Sequence, residues 1–280
     1  MNRYLIKLKA VKPIAHGDTL TGVDNSSNVR LFMRTTAVIG GKAVRIPDIS
    51  ENSLRSTIFR KPLHDHLIEY LGIGKGELPQ AVLNLLYSGG NMASGALAPT
   101  NEIELGHKVK ELYPSLDLLG GAVDMFILPR GRLRVTCFPL AKEYQTSIAL
   151  LYPEYEQEAA QSSIFDWLGE ETRTRGTGDE SSGNQMLYTY EVIGTGAQFL
   201  VELTLDPWTP EPARSAIAQA LTSWDGFIGG QGRQGRGRMA VEYDNLPSAD
   251  SYLEHLAANK DIMTDGLRTG NLGTGRVLCT

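Results

Sequence analysis

The chain opens on a period-two alternation. In residues 3–11 (RYLIKLKAV), Tyr4, Ile6, Leu8 and Ala10 alternate with Arg3, Lys7 and Lys9, the pattern of a half-buried strand. Residues 15–45 lose the pattern. Gly17, Gly22, Asn25, Asn28, Gly40 and Gly41 punctuate them, and they read as one long irregular excursion. Helical periodicity begins after Ser50, a good N-cap. In SLRSTIFRKPLHDHLIEYL, from Ser53 onward, Leu54, Ile58, Leu67 and Leu71 form an apolar stripe, and Pro62 marks a kink or a new first turn. A second helical stretch covers about 78–87, and 88–101 reads as a loop of small residues.

In the second half, residues 116–127 are apolar around a glycine pair. RGRLRVTCF at 130–138 reads as a strand with Arg130, Arg132 and Arg134 on one face and Leu133 and Val135 on the other. Residues 169–184 contain no apolar side chain and are expected to form the mobile tip of a projecting hairpin or insertion. The stretch 185–206 reads as a hairpin turning at Gly194-Thr195-Gly196. Thr209 is expected to cap a helix with Pro210 in its first turn and Ile217, Leu221 and Trp224 on one side. GGQGRQGRG at 229–237 leads into a last strand at about 238–243, followed by a helix near 248–259 and a polar tail. Without the insertions the order is strand, helix, strand, strand, helix, strand. That predicts the α+β class with a ferredoxin-like βαββαβ core. We expect one domain over 1–280, with insertions at about 12–48, 88–115 and 140–184 and a C-terminal helix and tail at about 246–280.

Composition narrows the class. The 280 residues are 41% hydrophobic and 21% charged, which excludes global disorder. No apolar run is long enough to span a membrane, and the apolar part of MNRYLIKLKAV is too short for a signal peptide. Cys137 and Cys279 form no CxxC, so neither a zinc site nor a disulfide framework is expected, and the expected compartment is the cytoplasm. The net charge of −5 conceals an asymmetry: residues 1–75 carry +6 and the remainder −11. A polyanionic partner therefore stays open, because local basic patches decide such binding.

Three segments could carry chemistry. In 229–237, five glycines alternate with Arg233 and Arg236, and Arg238 follows. Backbone N–H groups and guanidinium forks in such a loop suit phosphate oxygens, and a merely flexible loop is the alternative. No GK[ST] follows, so nucleotide triphosphate binding has no support. In IPDISENSLRSTIFRK (46–61), Arg55, Arg60 and Lys61 lie in or near the first turns of a helix, beside Ser50, Asn52 and Ser53. Free N–H groups at a helix start can hold phosphate, but plain capping by Ser50 explains the same residues. In PIAHGDTLTGVDNSSN (13–28), His16, Asp18 and Asp24 suggest metal or acid–base chemistry, against the alternative of Asx-turn residues. GxSxG, HExxH and Walker motifs are absent, so a hydrolase of those types has no support.

Four pieces occur in a telling order: PIAHGDTLTGVDN, then RIPDISENSLRSTIFR, then DLLGGAV, then GGQGRQGRGRMAV. Over about residues 1–245 this resembles the RAMP superfamily, and within it the backbone subunits of CRISPR effector complexes (the Cas seven family), most closely the type IV form. Glu51-Asn52 stands where the commonest pattern has Gly-Ser or Gly-Asn, and Ser56 replaces the usual glycine after SLR. The resemblance implies a subunit without catalysis of its own, metal or cofactor, which stacks head to tail along a guide RNA (crRNA) beside other effector subunits. It implies a complementary target, DNA rather than RNA, and an inserted β-hairpin that pries nucleotides from the guide–target duplex. The RNA-binding residues expected are His16, Arg34, Ser50, Asn52, Ser53, Arg55, Arg60, Lys61, Arg130, Arg132, Arg173, Arg175, Gly232, Arg233, Gly235, Arg236 and Arg238. Two alternatives stand. In type III members an Asp of the first loop cuts target RNA, and Asp24 falls near that place. An unrelated ferredoxin-like enzyme acting on a small ligand would instead need a closed pocket with a perturbed acid or base.

Overall fold

The computed structural model describes residues 2–17, 23–24, 29–91, 103–123, 126–176 and 185–275. Its centre is an antiparallel sheet of β1 (Asn2–Ala10), β2 (Leu133–Pro139), β3 (Gln198–Leu205) and β4 (Met239–Tyr243), in the spatial order β4-β1-β3-β2. Helix α1 (Glu51–Leu54, Arg55–Arg60 and Lys61–Leu71) follows β1, and helix α2 (Glu211–Ser223) follows β3. The order is therefore βαββαβ, with β3 placed between the two strands that α1 connects, and the class is α+β.

The alternation read in β1 sets its register. Ile6 and Leu8 face the helices and join Val201, Leu203, Ile58, Leu63, Ala216 and Ile217 in the main core. Leu5 faces the other way, where segment 140–167 covers it with Leu140, Ile148, Tyr152 and Ala159. Covered on both sides, β3 reads as a nearly continuous apolar run (QFLVELTL) rather than an alternating one.

Helix α1 starts where Ser50 accepts the backbone N–H of Ser53 at 3.2 Å. Arg55–Arg60 then widen into a π-turn just before Pro62, which can neither donate a hydrogen bond nor tolerate a carbonyl beneath its ring. Arg55 and Arg60, five positions apart, come onto one face, and both reach the carbonyl of Leu119.

A buried carboxylate anchors the entry to β2. Asp117, in the helix Pro114–Leu119, is paired with Lys110 at 2.9 Å and with Arg132 at 2.7 Å. Lys110 also donates to the carbonyl of Arg130, and Arg132 donates through Nη1 to the carbonyl of Trp208.

Several elements differ from expectation. Within the excursion 15–45, Arg34–Ile39 and Lys42–Pro47 pair as a hairpin over Gly40 and Gly41, whose φ values of 57° and 77° suit a two-residue turn. The stretch 185–206 is not a hairpin: Gln185–Ile193 pairs with Leu168–Gly176, whereas β3 belongs to the central sheet. The reason is burial, since β3 is apolar on both faces and needs the centre of the sheet. The hairpin is thus 168–193: of the tip expected at 169–184, residues 169–176 are paired strand and 177–184 lie outside the described residues, as does most of the loop 88–101. Thr209 does not cap α2; its hydroxyl donates to the carbonyl of Asp206 and Pro210 occupies the cap position. The polar tail contains a further helix, Lys260–Thr269, whose Met263 and Leu267 are buried.

Removing the buried carboxylate leaves two cations without their partner. Asp117→Ala should lower the unfolding free energy by about 3–5 kcal/mol in urea titrations followed by circular dichroism.

Candidate nucleic-acid interface

The expected arginines divide by what they touch. Arg34 is paired with Glu191 at 2.6 Å, and the other oxygen of that carboxylate accepts the N–H of Phe32. Arg60 is buried and donates to the carbonyls of Leu85, Leu119 and Gly120. Burial, together with the charge of Arg55, pushes its pKa down to about 10. Arg132 precedes β2 rather than lying on it, and it turns inward to Asp117. Arg236 is 2% exposed, paired with Glu171, bonded to Gln231 and packed 5.7 Å from the ring of Tyr190. These four were expected among the RNA-binding residues. Internal partners hold them instead, because each lies beside a carboxylate or a row of unpaired carbonyls that needs a donor.

Other arginines converge. Arg55, Arg130 and Arg134 line one open cleft of about 350 Å³ with Glu51, Asn52 and Gly120. Arg55 is half-buried, holds the Leu119 carbonyl through Nη2 at 2.5 Å, and leaves its buried Nε without a partner. Its pKa is lowered by burial and by the nearby charge of Arg130, the signature of positive charge only partly compensated. Arg130 and Arg134 are exposed and make no ion pair among the described residues. Among the described residues that line the cleft, Glu51 is the one carboxylate. Arg134 was absent from the expected binding residues and Arg132 was included. The signal that separates them is where the strand begins: at Leu133 the alternation turns Arg134 outward, while Arg132 stands before it.

A second open cleft, of about 520 Å³, lies between α1 and the glycine-rich segment and is lined by Lys61, Arg233, Thr57, Asp65, Asp225 and Phe227. Arg238 packs over Phe227 at 5.1 Å. The glycines here serve the chain's own packing first. A Cβ on Gly229 would lie 2.5 Å from the carbonyl oxygen of Ala15, and one on Gly237 would run into that of Ile228. Gly232 and Gly235 bracket a single 3-10 turn that carries exposed Arg233 outward.

The first loop is only partly in view. His16 is half-buried and edge-on to Phe32 at 5.9 Å, its Nε2 has no partner among the described residues, and burial lowers its pKa. The backbone of Asp24 pairs with Val29, but its side chain and all of Asp18 lie outside the described residues. The same holds for the side chains of Arg173 and Arg175, whose backbones run in the projecting hairpin. Ser50 caps α1, Asn52 faces the arginine cleft, and Ser53 donates its N–H to the cap. Among the described residues, no three His, Cys, Asp or Glu side chains gather as a metal site, and no helix is long and apolar enough to cross a membrane.

No family model matches the sequence, and no curated protein matches it. The fold is similar to that of a chain in a solved "Type IV-B CRISPR Complex", with a TM-score of 0.61 and 20% identity, over 91% of this chain and 99% of that one. At that identity the likeness is one of fold.

Sequence reading passed over one titratable group. Asp48 is buried two residues before the cap of α1, and its carboxylate accepts the N–H of Ile49. Burial, with the neighbouring charge of Glu51, pushes its pKa from 3.8 up to about 7. Between those values the folded chain holds a proton that the unfolded chain has lost, so ionising Asp48 lowers stability as pH rises from about 4 to about 7. Buried His64, held neutral, pulls the other way, so the readout is a difference. Asp48→Asn should gain stability relative to wild type across that window and keep a constant advantage above it, in urea midpoints measured at each pH.

Proposed function

We propose that this chain is a RAMP-type backbone subunit of a CRISPR ribonucleoprotein, nearest the type IV form, that grips guide RNA by its phosphates and stacks head to tail along it. The observation that carries the reading is the fold's likeness to nearly the whole of a chain from a Type IV-B CRISPR complex. The order of the four sequence pieces supports it, as does the cleft of Arg55, Arg130 and Arg134, guanidinium groups that make no ion pair among the described residues and suit phosphate oxygens. In the second cleft, Lys61 and Arg233 stand beside Asp65 and Asp225, so that cleft is mixed in charge and adds less to the reading.

In this reading the protein senses backbone and shape, and base pairing of the guide reads the complementary target, DNA in preference to RNA. Head-to-tail stacking is a heterologous contact that repeats into an open helix. The subunit has no chemistry of its own.

Phosphate binding has a measurable signature. Guide RNA affinity should fall steeply with salt and depend little on spacer sequence. Single changes Arg55→Ala, Arg130→Ala and Arg134→Ala should each weaken binding uniformly across sequences and lower the slope of log K against log salt by about 1, as read by fluorescence anisotropy. A strong spacer preference at fixed salt would count against the reading.

The non-catalytic assignment is tested with assembled complex, Mg²⁺ or Mn²⁺ and labelled complementary RNA. Intact target is the expected outcome. Regularly spaced products that vanish in Asp24→Ala would make the subunit a ribonuclease.

A further inference from the structure

Trp208 is 85% exposed, whereas Trp224 is buried and Trp167 half-buried, each with its indole N–H donated to a protein oxygen. An indole ring left in water forgoes a large apolar burial, so its position asks for a reason. The ring does not sit on a slack loop. Pro207 and Pro210 flank it, and the turn is pinned at each step. The N–H of Asp206 donates to the carbonyl of Arg132 at 3.3 Å, and the hydroxyl of Thr209 donates to Asp206 at 2.6 Å. Arg132 Nη1 donates to the carbonyl of Trp208 at 3.3 Å, and Arg214 donates to that of Thr209 at 3.4 Å. Since Arg132 is clamped on buried Asp117, the backbone that carries the indole is tied to the core of the protein.

The turn is bonded to the segment that walls the arginine cleft. Arg130 and Gly131 line that cleft, and Arg132, the next residue, donates to the carbonyl of Trp208. An exposed aromatic on a fixed backbone turn is therefore tied, through Arg132, to the segment that lines the guanidinium cleft. Protein partners favour an aromatic set in an apolar patch ringed against water. The exposed chain neighbours of Trp208 are Pro207, Pro210 and the charged Glu211. A nucleobase needs only an open ring face and a nearby cation for its phosphate.

We propose that Trp208 is a stacking platform for an unpaired base of single-stranded nucleic acid whose adjoining phosphate lies in the cleft of Arg55, Arg130 and Arg134. This rests on the RNA-binding reading above and adds to it a contact with a base face, which is insensitive to base identity and requires the base to be unstacked.

The test uses the full chain, a labelled single-stranded oligouridylate, and an RNA duplex as control. Trp208→Ala should lower single-strand affinity about tenfold and Trp208→Tyr should restore most of it. Neither change should alter the salt slope, whereas Arg130→Ala lowers it by about 1. Duplex binding should be indifferent to Trp208, and the single strand should quench tryptophan fluorescence in wild type far more than in Trp208→Ala. If wild type binds no RNA, the functional reading falls and this inference falls with it. If wild type binds but Trp208→Ala binds equally well, only the stacking role is overturned. Unchanged RNA binding with self-association lost in sedimentation would make Trp208 a protein contact and also overturn the proposal.

Discussion

Asp117 is a carboxylate with almost no access to water, and that arrangement is tolerable only while Lys110 and Arg132 both meet it. Much of the molecule's chemistry follows from this constraint. Lys110 reaches past Asp117 to the carbonyl of Arg130 and so fixes the backbone of the cleft wall from inside. Arg132 carries the same fixation to the turn after β3. With the backbone held from within, the side chain of Arg130 is free to face outward. Order in the interior is what permits an exposed, uncompensated charge nearby.

Backbone carbonyls at helix ends organise the arginines of α1 in a comparable way. The helix Pro114–Leu119 ends at Gly120, where its last carbonyls lack partners within the helix. Arg60 turns wholly inward to meet them, and Arg55 meets one of them with a single nitrogen while its side chain also lines the cleft. One guanidinium is structural, and the other is shared between structure and surface. The distinction depends on depth: Arg60 follows the buried stripe, while Arg55 sits a turn closer to the helix start.

The main architecture was legible. Alternation marked β1, Ser50 marked the start of α1, and the order of elements predicted the βαββαβ core. The hairpin over Gly40-Gly41 was written in its turn residues, but the glycines and hydroxyl side chains around it looked like loop. The fates of Arg34 and Arg236 were not legible. Their carboxylate partners, Glu191 and Glu171, lie far away in sequence, and no local pattern announces a pairing that only the fold creates. Trp208 was passed over because a single aromatic among prolines has no periodicity to mark its exposure.

The π-turn of α1 also has an arithmetic. The buried positions Leu54, Ile58, Leu63, Leu67 and Leu71 are spaced by four, five, four and four residues. The step of five falls within the stretch Arg55–Pro62, where the helix widens and then meets its proline. The turn acts as a phase correction, because it absorbs one surplus residue and so keeps the stripe facing the sheet on both sides of it. The same residues wound as an uninterrupted α-helix would leave two halves whose apolar stripes disagree by about 100°. Such a helix could then bury Leu63–Leu71 or present Arg55 to the cleft, but not both.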